Sequence, residues 1–274
     1  MKTVAVITGG GSGMGFSAAK LMPKDRIIVI SGRTLSKLEK SVNELKALGF
    51  EAYAYTCDTS DRQSVRELAE YAASLGEVKT GINAAGVSPH MSKAEPLLRI
   101  NALGTVYFNE EFAKVMKPGS VIVDIASNSA YALPGFMVPK KAFPLADTDP
   151  DAFVRKILGK AKIVKDDVKK SGMVYAMSKA FVVWYAKKSA IELGKKGIRV
   201  CSVSPGLIAT DMGEKEKEDG AYLINLTCEK RMGHVDELGY AIATAADDRN
   251  GFLAAVDILV DGGATTHQKE FKNI

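Results

Sequence analysis

Residues 3–15 read Thr3-Val-Ala-Val-Ile-Thr8-Gly9-Gly10-Gly11-Ser12-Gly13-Met14-Gly15. An apolar run of strand length passes straight into a glycine cluster, and a helical pattern follows from about Gly13. Glycines let backbone N–H groups come close to a pyrophosphate, and a helix N-terminus adds favourable partial charge. The spacing is T-G-x-x-x-G-x-G, a narrower variant of the common G-x-G-x-x-G. A ligand-free glycine turn is the bland alternative. The order strand, loop, helix is the one a dinucleotide site requires.

Similar Val- and Ile-rich runs recur at 3–8, 26–31, 51–56, 80–84, 120–125, 198–204 and 255–260. Strands apolar on both sides belong in a parallel sheet covered on both faces. Helical periods lie between them, at 35–48, 61–75, 101–115 and 175–193. Alternation of this kind predicts one doubly wound α/β domain over 1–274, a seven-stranded parallel sheet flanked by helices. One segment breaks the alternation. Residues 131–172 carry Pro134, Pro139, Pro144 and Pro150 and read as a helical insertion near the substrate pocket. Asp149-Pro150 there resembles an N-cap and first-turn proline, which predicts a short helix over 151–158.

Composition excludes several classes. Apolar residues make up 46% and charged residues 25% of 274, as in a folded soluble domain. Cys57, Cys201 and Cys228 are too scattered for a disulfide framework, which fits a reducing compartment. No apolar run approaches the roughly 18 residues that span a bilayer. The first residues lack a signal-peptide pattern, so a cytoplasmic location with no membrane partner is expected. His90, His234 and His267 match no ligand spacing, and no metal is expected.

Cofactor choice turns on residues 29–35, Val-Ile-Ser-Gly-Arg33-Thr34-Leu, which hold no acid for a ribose 2′-hydroxyl. A guanidinium at Arg33, with Thr34 beside it, can grip a 2′-phosphate that a carboxylate would repel. NADP is therefore favoured over NAD. The chemistry turns on Tyr175-Ala-Met-Ser-Lys179, four residues apart on one helix face. An ammonium near a phenol favours the phenolate, which makes a proton donor and acceptor near neutral pH. Taken alone, such a pair more often marks a solvated helix face.

The surroundings change that balance. Asn83-Ala84-Ala85-Gly86 closes the fourth strand, Asn101 opens a helix, Ser127 follows the fifth strand, and Ser204-Pro205-Gly206 closes the sixth. In this order the motifs resemble the short-chain dehydrogenase/reductase family over nearly the whole chain, which implies a Rossmann-type fold. The resemblance implies catalytic roles for Asn101, Ser127, Tyr175 and Lys179. Tyr175 would exchange a proton with the substrate oxygen, Ser127 would orient it, Lys179 would assist the tyrosine and hold the nicotinamide ribose, and Asn101 would anchor a water. It also implies cofactor contacts at Gly9, Gly11, Ser12, Gly13, Met14, Gly15, Asp58, Asn83, Ala84 and Gly86. Further contacts would come from Pro205, Gly206, Ile208 and Thr210, with Tyr175 and Lys179. The chain departs from the family pattern in one long spacing. Ser127 and Tyr175 stand 48 residues apart, which leaves Ser129 as an alternative serine. Together with the short step from Gly86 to Asn101, this layout resembles the bacterial 3α-hydroxysteroid dehydrogenase/carbonyl reductase subgroup. Added helices there sit over the pocket and can obstruct a helix-pair dimer interface.

The substrate is expected to be a small-molecule carbonyl or alcohol, bulky and apolar, such as a steroid, terpenoid or aromatic ketone; a small polar keto compound is the alternative. Ser127, Tyr131, Phe136, Met137 and Met212 are candidate substrate contacts, with Val87, Pro89, His90, Met91 and Tyr222 as further lining. The charged stretch 213–220 reads as a solvated turn or helix start, and the family resemblance implies a mobile lid there. A homodimer or homotetramer is expected from the family. A non-catalytic dinucleotide-binding regulator is a second reading, weakened because both Tyr175 and Lys179 are present. The net charge of +5 resides mainly in 131–172, with nine basic against five acidic residues. No basic run or recognition motif accompanies it, so no nucleic acid partner is expected. A basic cover steering an anionic ligand is the remaining expectation for that charge.

Overall fold

A computed structural model describes residues 2–271; within them, nothing is described of the side chains of 214–219. Seven strands form one parallel sheet in the order β3-β2-β1-β4-β5-β6-β7. They are β1 (Thr3–Thr8), β2 (Arg26–Gly32), β3 (Glu51–Thr56), β4 (Glu77–Asn83), β5 (Val121–Ile125), β6 (Arg199–Pro205) and β7 (Asp257–Val260). Helices α1 (Gly13–Lys20), α2 (Leu35–Ala47), α3 (Arg62–Leu75), α4 (Ala94–Leu98) and α5 (Gly104–Val115) connect the first five strands. The rest are α6 (Leu145–Thr148), α7 (Pro150–Ala161), α8 (Asp167–Gly194), α9 (Asp211–Leu226), α10 (Val235–Ala246) and α11 (Ala264–Glu270).

Neighbouring strand residues point to opposite faces, so one apolar run feeds two cores. Ile7, Ile28, Ile30 and Val203 pack with Leu38 and Ile242 on the α1, α2 and α10 side. Val4, Val6, Val29 and Val200 pack with Val65, Phe108 and Phe112 on the α3, α5 and α8 side. Strand order reverses between β1 and β4. Ligands of open α/β sheets bind at such a reversal, beyond the C-terminal strand ends.

Four boundaries differ from the sequence reading by three residues or more. β4 starts at Glu77, three residues early, where Glu77 N–H donates to the Lys2 carbonyl at 2.9 Å. Glu77 and Lys79 pair at 2.8 Å and hide the strand behind charge. The helix expected at 101–115 is split by a π-turn over Arg99–Leu103, which places Asn101 in mid-turn rather than at a helix start. α7 runs past Gly159 to Ala161, because Ile157 and Ala161 are buried there. α8 starts at Asp167, capped by the Asp166 carboxylate at 2.8 Å from Lys169 N–H, so Tyr175 and Lys179 sit well inside it.

The insertion forms a third apolar cluster of its own with α4 and α8. Phe143 meets Phe181 edge-on at 5.2 Å and Trp184 at 5.4 Å, and Phe153 meets Phe181 at 4.9 Å. Asp151 pairs with Arg99 at 3.0 Å and Asp147 with Lys188 at 3.4 Å. Most of the insertion thus lies along α4 and α8, and only its end, from Asp166 to Gly172, reaches the cavity lined by Ser127 and Tyr175. Lys140, Lys141, Lys160 and Lys162 line neither cavity of the site, and Lys169 is the basic residue of the insertion that does.

Candidate active site

Two cavities adjoin above the strand ends, sharing Met14, Thr210 and Met212. The first, of about 630 Å³, is lined by the glycine loop and α1 start, from Gly9 and Gly11 through Ser12, Gly13, Met14 and Gly15. Gly9 has φ +64°, and a Cβ there would stand 2.7 Å from the Ala84 carbonyl oxygen. A Cβ on Gly15 would stand 2.8 Å from the Gly9 carbonyl oxygen. Only glycine lets the loop fold this tightly against the residues that follow β4. Arg33, Thr34, Asp58, Ala84, Gly86 and Thr210 also line it. So do Lys37 and Lys20, which the sequence reading passed over. Lys37 was legible, since it lies one helical turn beyond Arg33. A glycine cradle and a helix N-terminus fit the central pyrophosphate of a dinucleotide, and the cations beyond β2 fit its adenosine end.

The second cavity, of about 600 Å³, brings together Ser127, Asn128, Ser129 and Tyr175 with Pro89, His90, Met212 and Tyr222. Lys169, Leu207 and Leu223 line it too. Pro205, Gly206 and Ile208, expected at the cofactor, line this cavity and not the first. Val87 and Met91 do the reverse. Three expected substrate contacts lie elsewhere. Tyr131 donates its hydroxyl to Asp257 at 2.6 Å, Phe136 is 83% exposed, and Met137 lines neither cavity. Stretch 213–220 belongs to α9, with Gly213 and Gly220 at the cavity; the side chains of 214–219 lie outside the described residues.

Lys179 is buried beneath Tyr175. Its Nζ donates to the Ile125 carbonyl at 2.9 Å and lies 5.8 Å from the Tyr175 ring centre. Asn101 makes a two-way clamp on one residue: Oδ1 accepts from Val87 N–H and Nδ2 donates to the Val87 carbonyl, each at 2.9 Å. A Cβ on Gly86 would meet Asn101 Oδ1 at 3.1 Å and Lys179 Nζ at 3.6 Å, so the three converge. Ser127 Oγ accepts from Ser129 N–H at 3.1 Å and caps a single 3₁₀ turn over Asn128–Tyr131. Asn83 lines neither cavity. Its amide is buried, accepting from the Thr8 hydroxyl at 3.0 Å and donating to Thr105 at 3.2 Å, which fixes the β1–β4 reversal.

Below Lys179, Asp124 is fully buried. Burial pushes its carboxyl up to about 7, against hydrogen bonds from Asn109 at 2.9 Å and Asn83 at 3.4 Å and the charge of Lys179. Its folded value lies above the ordinary 3.8, so the folded chain binds more protons between the two. Stability should then fall as pH rises from about 4 to about 7. Asp124→Asn should flatten that slope in denaturant titrations at several pH values; an unchanged slope would remove Asp124 as its source.

Among the described residues, no group of three or more His, Cys, Asp or Glu could hold a metal. No described helix is long and apolar enough to cross a membrane.

Comparison with known proteins gives a consistent picture. The family model for short chain dehydrogenases matches residues 3–138, and that for enoyl-(acyl carrier protein) reductases matches 155–265. The gap between them falls in the insertion. A short-chain dehydrogenase/reductase of Alternaria brassicicola is 28% identical over 97% of both chains. A cyclohexanol dehydrogenase of an Acinetobacter species is 29% identical, over 96% of this chain and 95% of its own. Among solved structures, a short chain dehydrogenase of Burkholderia cenocepacia in complex with NADP has TM-score 0.75 at 22% identity, covering 95% of this chain and 96% of the other. A 3-oxoacyl-[acyl-carrier protein] reductase of Brucella melitensis in complex with NAD has TM-score 0.76 at 21% identity, covering 97% and 98%. Those two share the fold. Matched by family models over 3–138 and 155–265 and by relatives along nearly its full length, the chain belongs to the short-chain dehydrogenase/reductase family and is an oxidoreductase of alcohols and carbonyls.

Proposed function

We propose that the chain uses NADP(H) to interconvert a bulky, apolar ketone and its secondary alcohol, such as a steroid, terpenoid or aromatic compound. The observation that carries this reading is the adjacency of the two cavities, one built for a dinucleotide and the other lined by Tyr175 and Ser127. When bound, the dinucleotide supplies or takes the hydride. Gly9, Gly13 and Gly15 would hold its pyrophosphate, Asp58 its adenosine end, and Thr210 its nicotinamide end. The Tyr175 hydroxyl would give a proton to the carbonyl oxygen, or take one from the alcohol. Ser127 would donate a hydrogen bond to the same oxygen, and Lys179 would hold positive charge below both.

NADP is favoured by Arg33, Thr34 and Lys37 at the end of β2, where an acid would suit NAD. The apolar substrate is favoured by Pro89, Leu207, Met212, Tyr222 and Leu223 along the second cavity. A homodimer or homotetramer in the cytoplasm completes the reading; the face of α8 bearing Phe181 and Trp184 would take no part in it, because the insertion packs there.

NADPH and NADH compared against a panel of steroid, terpenoid and small polar ketones test the proposal. Turnover is expected with NADPH and the larger ketones. Arg33→Ala should raise the KM for NADPH about 10- to 100-fold, the loss of one or two charge-assisted hydrogen bonds, and leave that for NADH nearly unchanged. Preference for NADH in the wild type would overturn the cofactor assignment.

A further inference from the structure

We propose that Tyr131 is a positioning residue for Ser127, acting through its hydrogen bond to Asp257. This rests on the reading of Ser127 as the group that orients the substrate oxygen.

Ser127 stands just beyond β5, with no strand partner of its own. It leads into one 3₁₀ turn, closed by Ala130 N–H to the Ser127 carbonyl at 2.9 Å and Ala132 N–H to the Ser129 carbonyl at 3.1 Å. A lone turn of this kind is marginal by itself. Beyond it the chain leaves the sheet for the insertion, so motion of that segment would reach Ser127 through this turn.

Tyr131 is the last residue of the turn, and its hydroxyl donates to Asp257 Oδ2 at 2.6 Å. Asp257 opens β7, and its other oxygen accepts from Ser204 at 3.0 Å and from the Ser202 hydroxyl, both on β6. The carboxylate is thus fastened to two strands of the sheet before Tyr131 reaches it. Burial and the Asp257 carboxylate both hold the phenol above its ordinary value, so the donor is kept protonated. Lys269 of α11 lies 5.3 Å from the ring centre. Next to Tyr131 in the turn, Ala130 packs against Val182 and Val183 of α8, in a cluster that also holds Ala126 on the other side of Ser127. Ser127 is therefore held by a turn with two anchors, one apolar on the helix that carries Tyr175 and one polar on the sheet. Removing the polar anchor leaves Ser127 in place on average but looser, and loose placement of a contact group costs rate more than binding.

The test is a double-mutant cycle on kcat with a ketone that the wild type turns over. Tyr131→Phe is expected to lower kcat about tenfold, with Kd for NADPH unchanged by fluorescence titration. In a Ser127→Ala background the same change should cost less than about twofold, because the group it positions is gone. A merely structural role would cost the same factor in both backgrounds, and that result overturns the proposal. So does an unaltered kcat in the wild-type background. Asp257→Asn removes the acceptor charge from the other side, and should show the same non-additivity with Ser127→Ala if Tyr131→Phe does not fold. Should Ser127→Ala itself leave kcat unchanged, the reading of Ser127 fails, separately from the brace.

Discussion

Tyr175→Phe is expected to lower carbonyl reduction by about 10²- to 10⁴-fold, the range over which a positioned general acid contributes. The change removes one hydroxyl and keeps the ring. Tyr175 lies inside α8, half-buried, with its ring 5.8 Å from Lys179 Nζ. Phenylalanine fits the same space, so helix and cavity should persist. The first cavity is lined without Tyr175, so affinity for NADPH should change little. The measurement is kcat/KM for one ketone, with cofactor affinity read separately. A Phe variant within about threefold of wild type would mean that the proton comes from elsewhere.

Phe143→Ala should destabilise the fold by about 3–5 kcal/mol, the usual cost of emptying a buried phenylalanine site. Phe143 is fully buried and touches Phe181 and Trp184, both on α8. Its neighbours Phe153 and Ile157 are also fully buried and belong to the insertion. The ring is thus the point where the insertion joins the main domain, and a helix on one side with a helix on the other leaves little room to collapse. Phe136, 83% exposed a few residues earlier, provides the contrast; its change to Ala should move stability by less than about 0.5 kcal/mol. Equilibrium denaturation of both variants decides the matter. A loss below about 1 kcal/mol for Phe143→Ala would mean that the insertion is an appendage and not part of the core.

The sheet was the most legible part. β1 runs between the very residues that its apolar pattern marks, because a strand buried on both faces leaves no ambiguity of period, and the half-buried edge strand β3 also runs over the expected residues. Charge hid the rest. Glu77 and Lys79 disguised the start of β4, and Asp166-Asp167 with Lys169-Lys170 disguised the first turns of α8 as surface loop. Within the site, Tyr175, Lys179, Ser127 and Asn101 do converge, since their motifs sit at strand ends or on a helix whose register is set by the core. Pocket lining from the insertion was not legible. Tyr131, Phe136 and Met137 have the right chemistry, but they lie in short 3₁₀ turns, where no periodic burial dictates which way a side chain points. The π-turn was equally invisible, because one residue more per turn changes no residue type.

That π-turn separates two kinds of tolerance. It carries one residue beyond what an α-helix of the same span would hold, and the helix on either side is otherwise regular. A single-residue deletion within 99–103 would let the segment heal into a plain helix. The flanking helices would keep their register, because only the surplus residue is lost, but the side chains within the turn would be re-aimed as it tightens. Asn101 would leave Val87, and the loop beside Gly86 would lose its clamp. Substitution at the neighbouring half-buried Ile100 leaves the chain length, and with it the clamp, in place. Along this stretch, chain length is therefore a functional trait in its own right, and natural or designed shortening should be far less forgiving than exchange of side chains.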